Sequence, residues 1–588
     1  MSSTTISNVA PIKTECITVF LCSFVAISIC FHGAVRDFFP MADNVILITE
    51  STPYAMHVDF VKWFTCGWRG YSRPYAEYIG TVTDFVRPVV NGCFWLNFAI
   101  WGEKWGNYLY LNFAVMAAAA ALSYYIARQL LGCERWAALL ASSLLLLNPA
   151  SITSYGIPMD IVHTLSALIA VFALVSILQK RMVCGLVLLV VALFTKESTL
   201  FAPMAAGLMW LLLRHREAGR FHAAHWVVAA ALAAIPIGAW LLARFAVFHG
   251  FGQAYVTQDL SLMGIIVSWA TFPLLWPLGL SGPTDPSSTI RGVLWRQWDM
   301  ISLLPIFGLF MSLITVSLVL RALVKFVRDS SWRNENDWLL WLGPWLILAF
   351  AQLITLGLPV QNGLFVFVVG IPITCLLLQR AVRTRAVASA MLVVCFQLLL
   401  VVPGLSFVFT EHSRAATEAR TESRAVTQSL LSALFEAGNK HKRVYVLNDI
   451  PIRNARVQAG PFAGTKAEVV LLNNLDGGFP HNSLSVNMVK IGPDRYRITT
   501  RVQSPYNLLL VAAQRKELFP SVGEKSVVRN SNITYEFPVA PQPRRGVLGT
   551  EHWSIGSELQ ITLTDDSDFA IVGYDPPTGL YRVVTLPE

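Results

Sequence analysis

About eleven apolar segments, most of them long enough to cross a bilayer, follow one another through the first 410 residues of this chain. They lie near 16–35, 108–128, 136–150, 158–179, 181–195, 198–214, 225–247, 301–324, 338–357, 363–379 and 386–408. Basic residues gather in alternate connections: Arg128 with Arg135, Lys180 with Arg181, then Arg214, Arg216 and Arg220, then Arg321, Lys325 and Arg328, and last Arg380, Arg383 and Arg385. With residues 1–15 in the cytoplasm, the positive-inside rule puts every one of these clusters on the same side. The pattern predicts an α-helical polytopic membrane protein.

Composition excludes the main alternative. Of 588 residues, 54% are hydrophobic and 14% charged, with a mean hydropathy of +0.53. That is far too apolar for a soluble globule of this size. The net charge of +9 does not call for a nucleic-acid partner, because loop topology accounts for the Lys and Arg. No clear signal-peptide cleavage site precedes or follows Ile17 to Ile29, which reads as an uncleaved first span. A further apolar run, Gly264 to Leu280, would break the charge parity if it crossed; with Pro273 and Pro277 it reads as re-entrant or interfacial.

Residues 1–410 therefore form a transmembrane domain, with three regions on the outer side: a first loop at 36–107, a second segment at 248–300, and the tail at 411–588. The tail starts with a predicted helix, Glu411 to Ala437, and then turns β-like. Strands are expected at 443–449, 468–474, 495–502, 532–539 and 559–566, giving a small α+β or β-rich domain. Cys66 and Cys93 share the first outer loop, where they either pair or stay free; the tail has no cysteine.

Two features point to chemistry on the outer side. The pair Lys196–Glu197 interrupts an apolar run from Leu186 to Leu213. Two charges at such a depth cost roughly 2.5–3.5 kcal/mol each on insertion scales, so they are either used or paired. The first outer loop is crowded with aromatic residues, including Trp63, Trp68, Trp95, Trp101 and Trp105. These fit an interfacial aromatic belt or a platform for sugar faces and isoprenoid chains. The same loop carries Asp43, beside an apolar stretch that would raise its basicity by partial desolvation. No spacing of metal ligands such as His-Glu-x-x-His or paired Cys occurs.

The segment MADNVILI (41–48) resembles the stretch that follows the first span in polytopic glycosyltransferases of the GT-C superfamily. The resemblance runs in order through FVRPVVNGCFWLNFAIWG (85–102), LLLNPASITSYGIPMDIVHTL (145–165), LFTKESTLFAP (193–203), LLWPLGLSGPTDP (274–286) and GLPVQNGLFVFVVGIP (357–372). It is nearest to the protein O-mannosyltransferase-like branch and its bacterial relatives, which use polyprenyl-phosphate sugars. The chain departs from that pattern in three places. Ala42–Asp43 stands where relatives have two acids; Asn148, Pro149, Ser151 and Thr153 replace a His-Pro-x-His-x-Glu run; and Gln361–Asn362 replaces Glu-Arg. The tail is also not of the tetratricopeptide kind.

The resemblance implies a GT-C-like catalytic domain in a bacterial inner membrane, with a periplasmic C-terminal domain. It implies transfer of a sugar from a polyprenyl-phosphate donor to a protein, lipid or glycan, without a cofactor or metal. In that reading Asp43 is the general base. Asp160 and Glu197 orient the acceptor or tune the base. Arg87 and Lys196, with Arg291 or Arg296, hold the donor phosphate. The competing readings are structural: a helix-start carboxylate for Asp160, an ion pair of Glu197 with Lys196, and a headgroup anchor for Arg87. Two other classes of function also fit a polytopic chain with buried charges: a flippase for lipid-linked sugars, and a non-catalytic envelope assembly protein.

Overall fold

A computed structural model describes residues 9–36, 87–102, 104–147, 155, 161–218, 222–248, part of 368–379, 413–447, 467–472, 487–502, 526–530, 533–537, 543–545, 551–553, 557–565, 568–575 and 578–586. The chain divides into two compact units. One holds the described helices up to residue 248 and the helical residues near 368–379; the other holds the helix and strands after 413. The segments expected at 301–324, 338–357 and 386–408, and the run at 264–280, lie outside the described residues.

The first unit is helical. In chain order come α1 (Val9–Cys30), the short α2 (His32–Arg36), α3 (Pro88–Trp101), α4 (Leu109–Tyr125), α5 (Arg135–Leu146), α6 (Ile161–Leu178), α7 (Met182–Thr195), α8 (Ala202–Ala218) and α9 (Ala223–Phe248). Four stretches are long and apolar enough to cross a bilayer: Ile12–Cys30, Trp105–Leu130, Ile161–Leu178 and Ala223–Ala246. They mark a membrane protein. The helices at the expected spans 136–150 and 181–195 are short. α5 has 12 residues and α7 has 14, or about 18 and 21 Å at 1.5 Å per residue, against a hydrocarbon core of about 30 Å.

The helices alternate in direction, and polar contacts collect at one end of the bundle. Glu15 near the start of α1 accepts a hydrogen bond from the Tyr124 hydroxyl at the end of α4 (2.6 Å) and lies 3.6 Å from Arg135 at the start of α5. The Gln179 amide donates to the Tyr125 hydroxyl at 2.8 Å. Glu217 joins Lys180 and Arg214, each at 2.8 Å. Arg135, Lys180 and Arg214 thus meet acids at this end. Lys180 itself takes a left-handed conformation, φ 63°, as it closes α6.

Small residues set the closeness of the helices. Gly207 of α8 lies against α9 so tightly that a Cβ there would come within 2.8 Å of the Ala229 carbonyl oxygen. Gly185 of α7 packs in the same way against Ile177 of α6.

The second unit is layered. A long helix α10 (Ser413–Lys440) covers a four-stranded sheet in the order β11-β10-β1-β2, and a five-stranded sheet, β3-β4-β9-β6-β5, covers its other face. The ranges are β1 Arg443–Leu447, β2 Glu468–Leu471, β3 Asn487–Gly492, β4 Arg495–Val502, β5 Ser526–Asn530, β6 Ile533–Phe537, β9 Ser557–Thr564, β10 Phe569–Asp575 and β11 Leu580–Val584; a separate hairpin joins β7 (Pro543–Arg545) to β8 (Glu551–Trp553). Alternation divides each central strand between two cores. Val444, Val446, Ala570 and Val572 face α10 residues such as Leu430 and Leu434, while Tyr445, Leu447, Phe569 and Ile571 face Ile498, Ile561 and Leu563. Buried Asp565 accepts from Arg443 (2.8 Å) and from the Tyr445 hydroxyl (2.5 Å), tying β1 to the end of β9.

Gly207→Ala is expected to lower stability by about 1–3 kcal/mol, because the new methyl meets backbone that cannot yield by rotating a side chain. Thermal unfolding of the detergent-solubilised chain checks this. An unchanged midpoint would show that α8 and α9 are not packed at that crossing.

Candidate functional site

The end of the bundle opposite the Glu15 and Glu217 clusters carries the site. α6 and α7 are antiparallel neighbours, so the first turn of α6 and the last of α7 lie side by side. α7 stops at Thr195. The next residue, Lys196, is extended (φ −159°, ψ 134°), and one tight turn, Glu197–Thr199, leads toward α8. Two threonine hydroxyls add hydrogen bonds beside this break. The Thr199 hydroxyl donates to the Lys196 carbonyl at 2.8 Å, and the Thr195 hydroxyl donates to the Val191 carbonyl at 2.8 Å. Pro203 then falls in the first turn of α8, where a missing N–H costs no helix bond.

A second element reaches this turn from far away in sequence. α3 begins at Arg87 and Pro88, and the Arg87 guanidinium forks onto Glu197. Its Nε donates to one carboxylate oxygen at 3.1 Å, and an Nη donates to the other. Arg87 is 5% exposed and Lys196 is 7% exposed. Burial raises the Glu197 carboxyl, but the charge of Arg87, its hydrogen bonds and the charge of Lys196 outweigh this and hold it below the ordinary carboxylate range. Beside it, the Lys196 ammonium rests on the edge of the His163 imidazole, 2.5 Å from Nδ1 and 3.0 Å from Nε2.

α3 does not cross the bundle. One end is fixed to Glu197, and at the other the Gly102 carbonyl accepts from the Tyr108 hydroxyl at 3.1 Å, just before α4 begins. Gly102 takes φ +57°, which lets the chain turn there. Val90, Phe94 and Asn97 are buried, while Trp95, Leu96, Ile100 and Trp101 are exposed. Rings step from α3 into α4 through Phe94–Tyr108, Phe98–Trp105 and Trp101–Tyr110. Cys93 on this helix is a free thiol, so the Cys66–Cys93 pairing is not formed; burial pushes its thiol up to about 11.

Of the residues singled out in the sequence, Arg87, Lys196 and Glu197 meet here. Asp43, Asp160, Arg291 and Arg296 lie outside the described residues. Glu197 pairs with Arg87 rather than with its neighbour Lys196. His163 is the site residue that sequence reasoning misses. The only local sign of it is a histidine in the first turn of an otherwise apolar span, and its partner lies 33 positions away. Among the described residues, a guanidinium and an ammonium come together at this end of the bundle, the two kinds of cation that bind phosphate and carboxylate oxygens. No protein family, no curated protein and no solved structure matches this chain.

Glu197→Gln is expected to cost roughly 3 kcal/mol, because it leaves the buried Arg87 guanidinium without its carboxylate. Replacing both residues, Arg87→Leu with Glu197→Leu, is expected to restore most of that stability. Unfolding curves in detergent read both changes. A double variant as unstable as the single one would show that charge pairing is not what holds α3 in place.

Proposed function

We propose that this chain is a GT-C-type membrane glycosyltransferase. It moves a sugar from a polyprenyl-phosphate donor to a protein, lipid or glycan acceptor on the periplasmic face of a bacterial inner membrane. The observation that carries this reading is the convergence of Arg87 and Lys196, 109 positions apart, at the end of the bundle away from the Lys180 and Arg214 cluster. By the positive-inside rule that clustered end is cytoplasmic, which turns the site toward the outer leaflet.

The transfer makes one bond and breaks another. The acceptor oxygen attacks the anomeric carbon, its proton passes to a carboxylate, and the bond to the donor phosphate oxygen breaks with its electron pair leaving on the phosphate. Fixed cations lower the cost of that developing charge. Lys196 supplies a compact charge, and Arg87 a planar fork already aimed by Glu197. Glu197 is a poor candidate for the base, since Arg87 occupies both its oxygens. Its part is to aim Arg87. Asp43 remains the proposed base, with Asp160 beside the acceptor and Arg291 or Arg296 as further phosphate ligands.

Asp43→Asn is expected to abolish sugar transfer while leaving the chain folded and inserted, and Lys196→Ala to raise the KM for donor more than tenfold. Transfer of labelled sugar from a polyprenyl-phosphate donor in proteoliposomes measures both. Substantial activity in Asp43→Asn would remove that residue as the base, and an unchanged donor KM in Lys196→Ala would remove the phosphate role.

A further inference from the structure

The opposite end of the bundle holds positive charge that the transfer reaction does not use. Lys180 stands in the turn between α6 and α7, and Arg214 and Glu217 stand in the last turns of α8. The Lys180 ammonium lies on one Glu217 oxygen and an Arg214 Nη on the other, each at 2.8 Å. One carboxylate therefore joins two cations, and one positive charge is left over. The Lys180 side chain is 55% exposed and that of Arg214 29%. An ammonium has three N–H donors and a guanidinium five, so contact with Glu217 leaves donors on both.

The Arg214 guanidinium is also held in place. It lies over the Trp210 ring, 4.0 Å from the centroid, where the face of the indole attracts a cation. With Trp210 on its flat side and Glu217 at one Nη, it loses little further freedom when it binds an anion. The level is that of lipid headgroups. Lys180 lies two residues beyond the apolar stretch Ile161–Leu178, and the positive-inside rule assigns this end to the cytoplasmic leaflet. Next to the cations the surface is apolar. α7 begins two residues after Lys180, and its first two turns expose Val183 and Val187. Surplus positive charge beside exposed valines complements a molecule with an anionic head and hydrocarbon chains. We propose that this corner binds an anionic phospholipid of the cytoplasmic leaflet. Lys180 and Arg214 hold oxygens of its phosphate, and Val183 and Val187 lie along an acyl chain. A phosphodiester brings one negative charge, which balances the one positive charge that Glu217 leaves.

Native mass spectrometry of the full chain in detergent tests this, with phosphatidylglycerol and phosphatidylcholine as probes. The unsubstituted chain is expected to bind phosphatidylglycerol at least about fivefold more tightly, because the choline cation of the other lipid meets the same positive charges. Lys180→Gln and Arg214→Gln are each expected to weaken phosphatidylglycerol about fivefold, the worth of one cation beside a lipid headgroup, and to leave phosphatidylcholine unchanged. Lys180 is exposed in a turn, so its variant reads binding without disturbing the packing of the helices. Equal affinity for the two lipids would overturn the proposal, as would a Lys180→Gln chain that binds phosphatidylglycerol as well as the unsubstituted one. Displacement of the lipid by inorganic phosphate would mark a site for free anions. Tighter binding of a polyprenyl monophosphate than of phosphatidylglycerol, lost in Lys180→Gln, would give the corner to the donor lipid. Either result overturns a phospholipid as the occupant.

Discussion

The forked ion pair between Arg87 and Glu197 is the interaction on which this end of the molecule depends. It joins the start of α3 to the turn between α7 and α8, two segments that sequence separation would leave unrelated. Removing charges from water is expensive, and a buried pair gains little unless its geometry satisfies both partners. Here the guanidinium meets both carboxylate oxygens, which offsets that cost and specifies where α3 begins. The helix then lies across the bundle end and returns through Tyr108 to α4.

That arrangement makes the two ends of the bundle chemically different. At one end, Arg135, Lys180 and Arg214 lie against Glu15 and Glu217, while the phenols of Tyr124 and Tyr125 bond Glu15 and Gln179. At the other, Lys196 lies against the His163 ring and Arg87 against Glu197. α7 stops at Thr195, and the Thr195 and Thr199 hydroxyls donate to the Val191 and Lys196 carbonyls on either side of that stop.

Much of the helical frame is legible from hydrophobic runs alone. The expected spans at 158–179 and 225–247 correspond to α6 and α9 within a few residues, because a bilayer selects for length and apolarity and little else. Strand β4 coincides with the expected 495–502, where polar and apolar residues alternate. Strand β10, FAIVGYD, escapes the same reading: it is buried on both faces, and a short apolar run lacks the period-two signature. α3 reads in the sequence only as part of an outer loop, since its 14 residues are too few to span and its boundaries depend on Arg87 and Tyr108. Within the site, the cost of burying charge marks Lys196 and Glu197 from the amino-acid sequence alone. The partner of each does not follow from it, because adjacency in the chain pairs them with each other, while the fold gives Glu197 to Arg87 and Lys196 to His163.

The central claim is that Arg87 and Lys196 form the seat of a lipid-linked phosphate. The most direct measurement is a cryo-EM map of the full chain in nanodiscs with a polyprenyl monophosphate bound. The account predicts phosphate density within hydrogen-bond reach of the Lys196 Nζ and the Arg87 guanidinium, with the isoprenoid chain leaving the bundle at that end. Density seated instead among Arg128, Lys180 and Arg214, with nothing between residues 87 and 196, would contradict it.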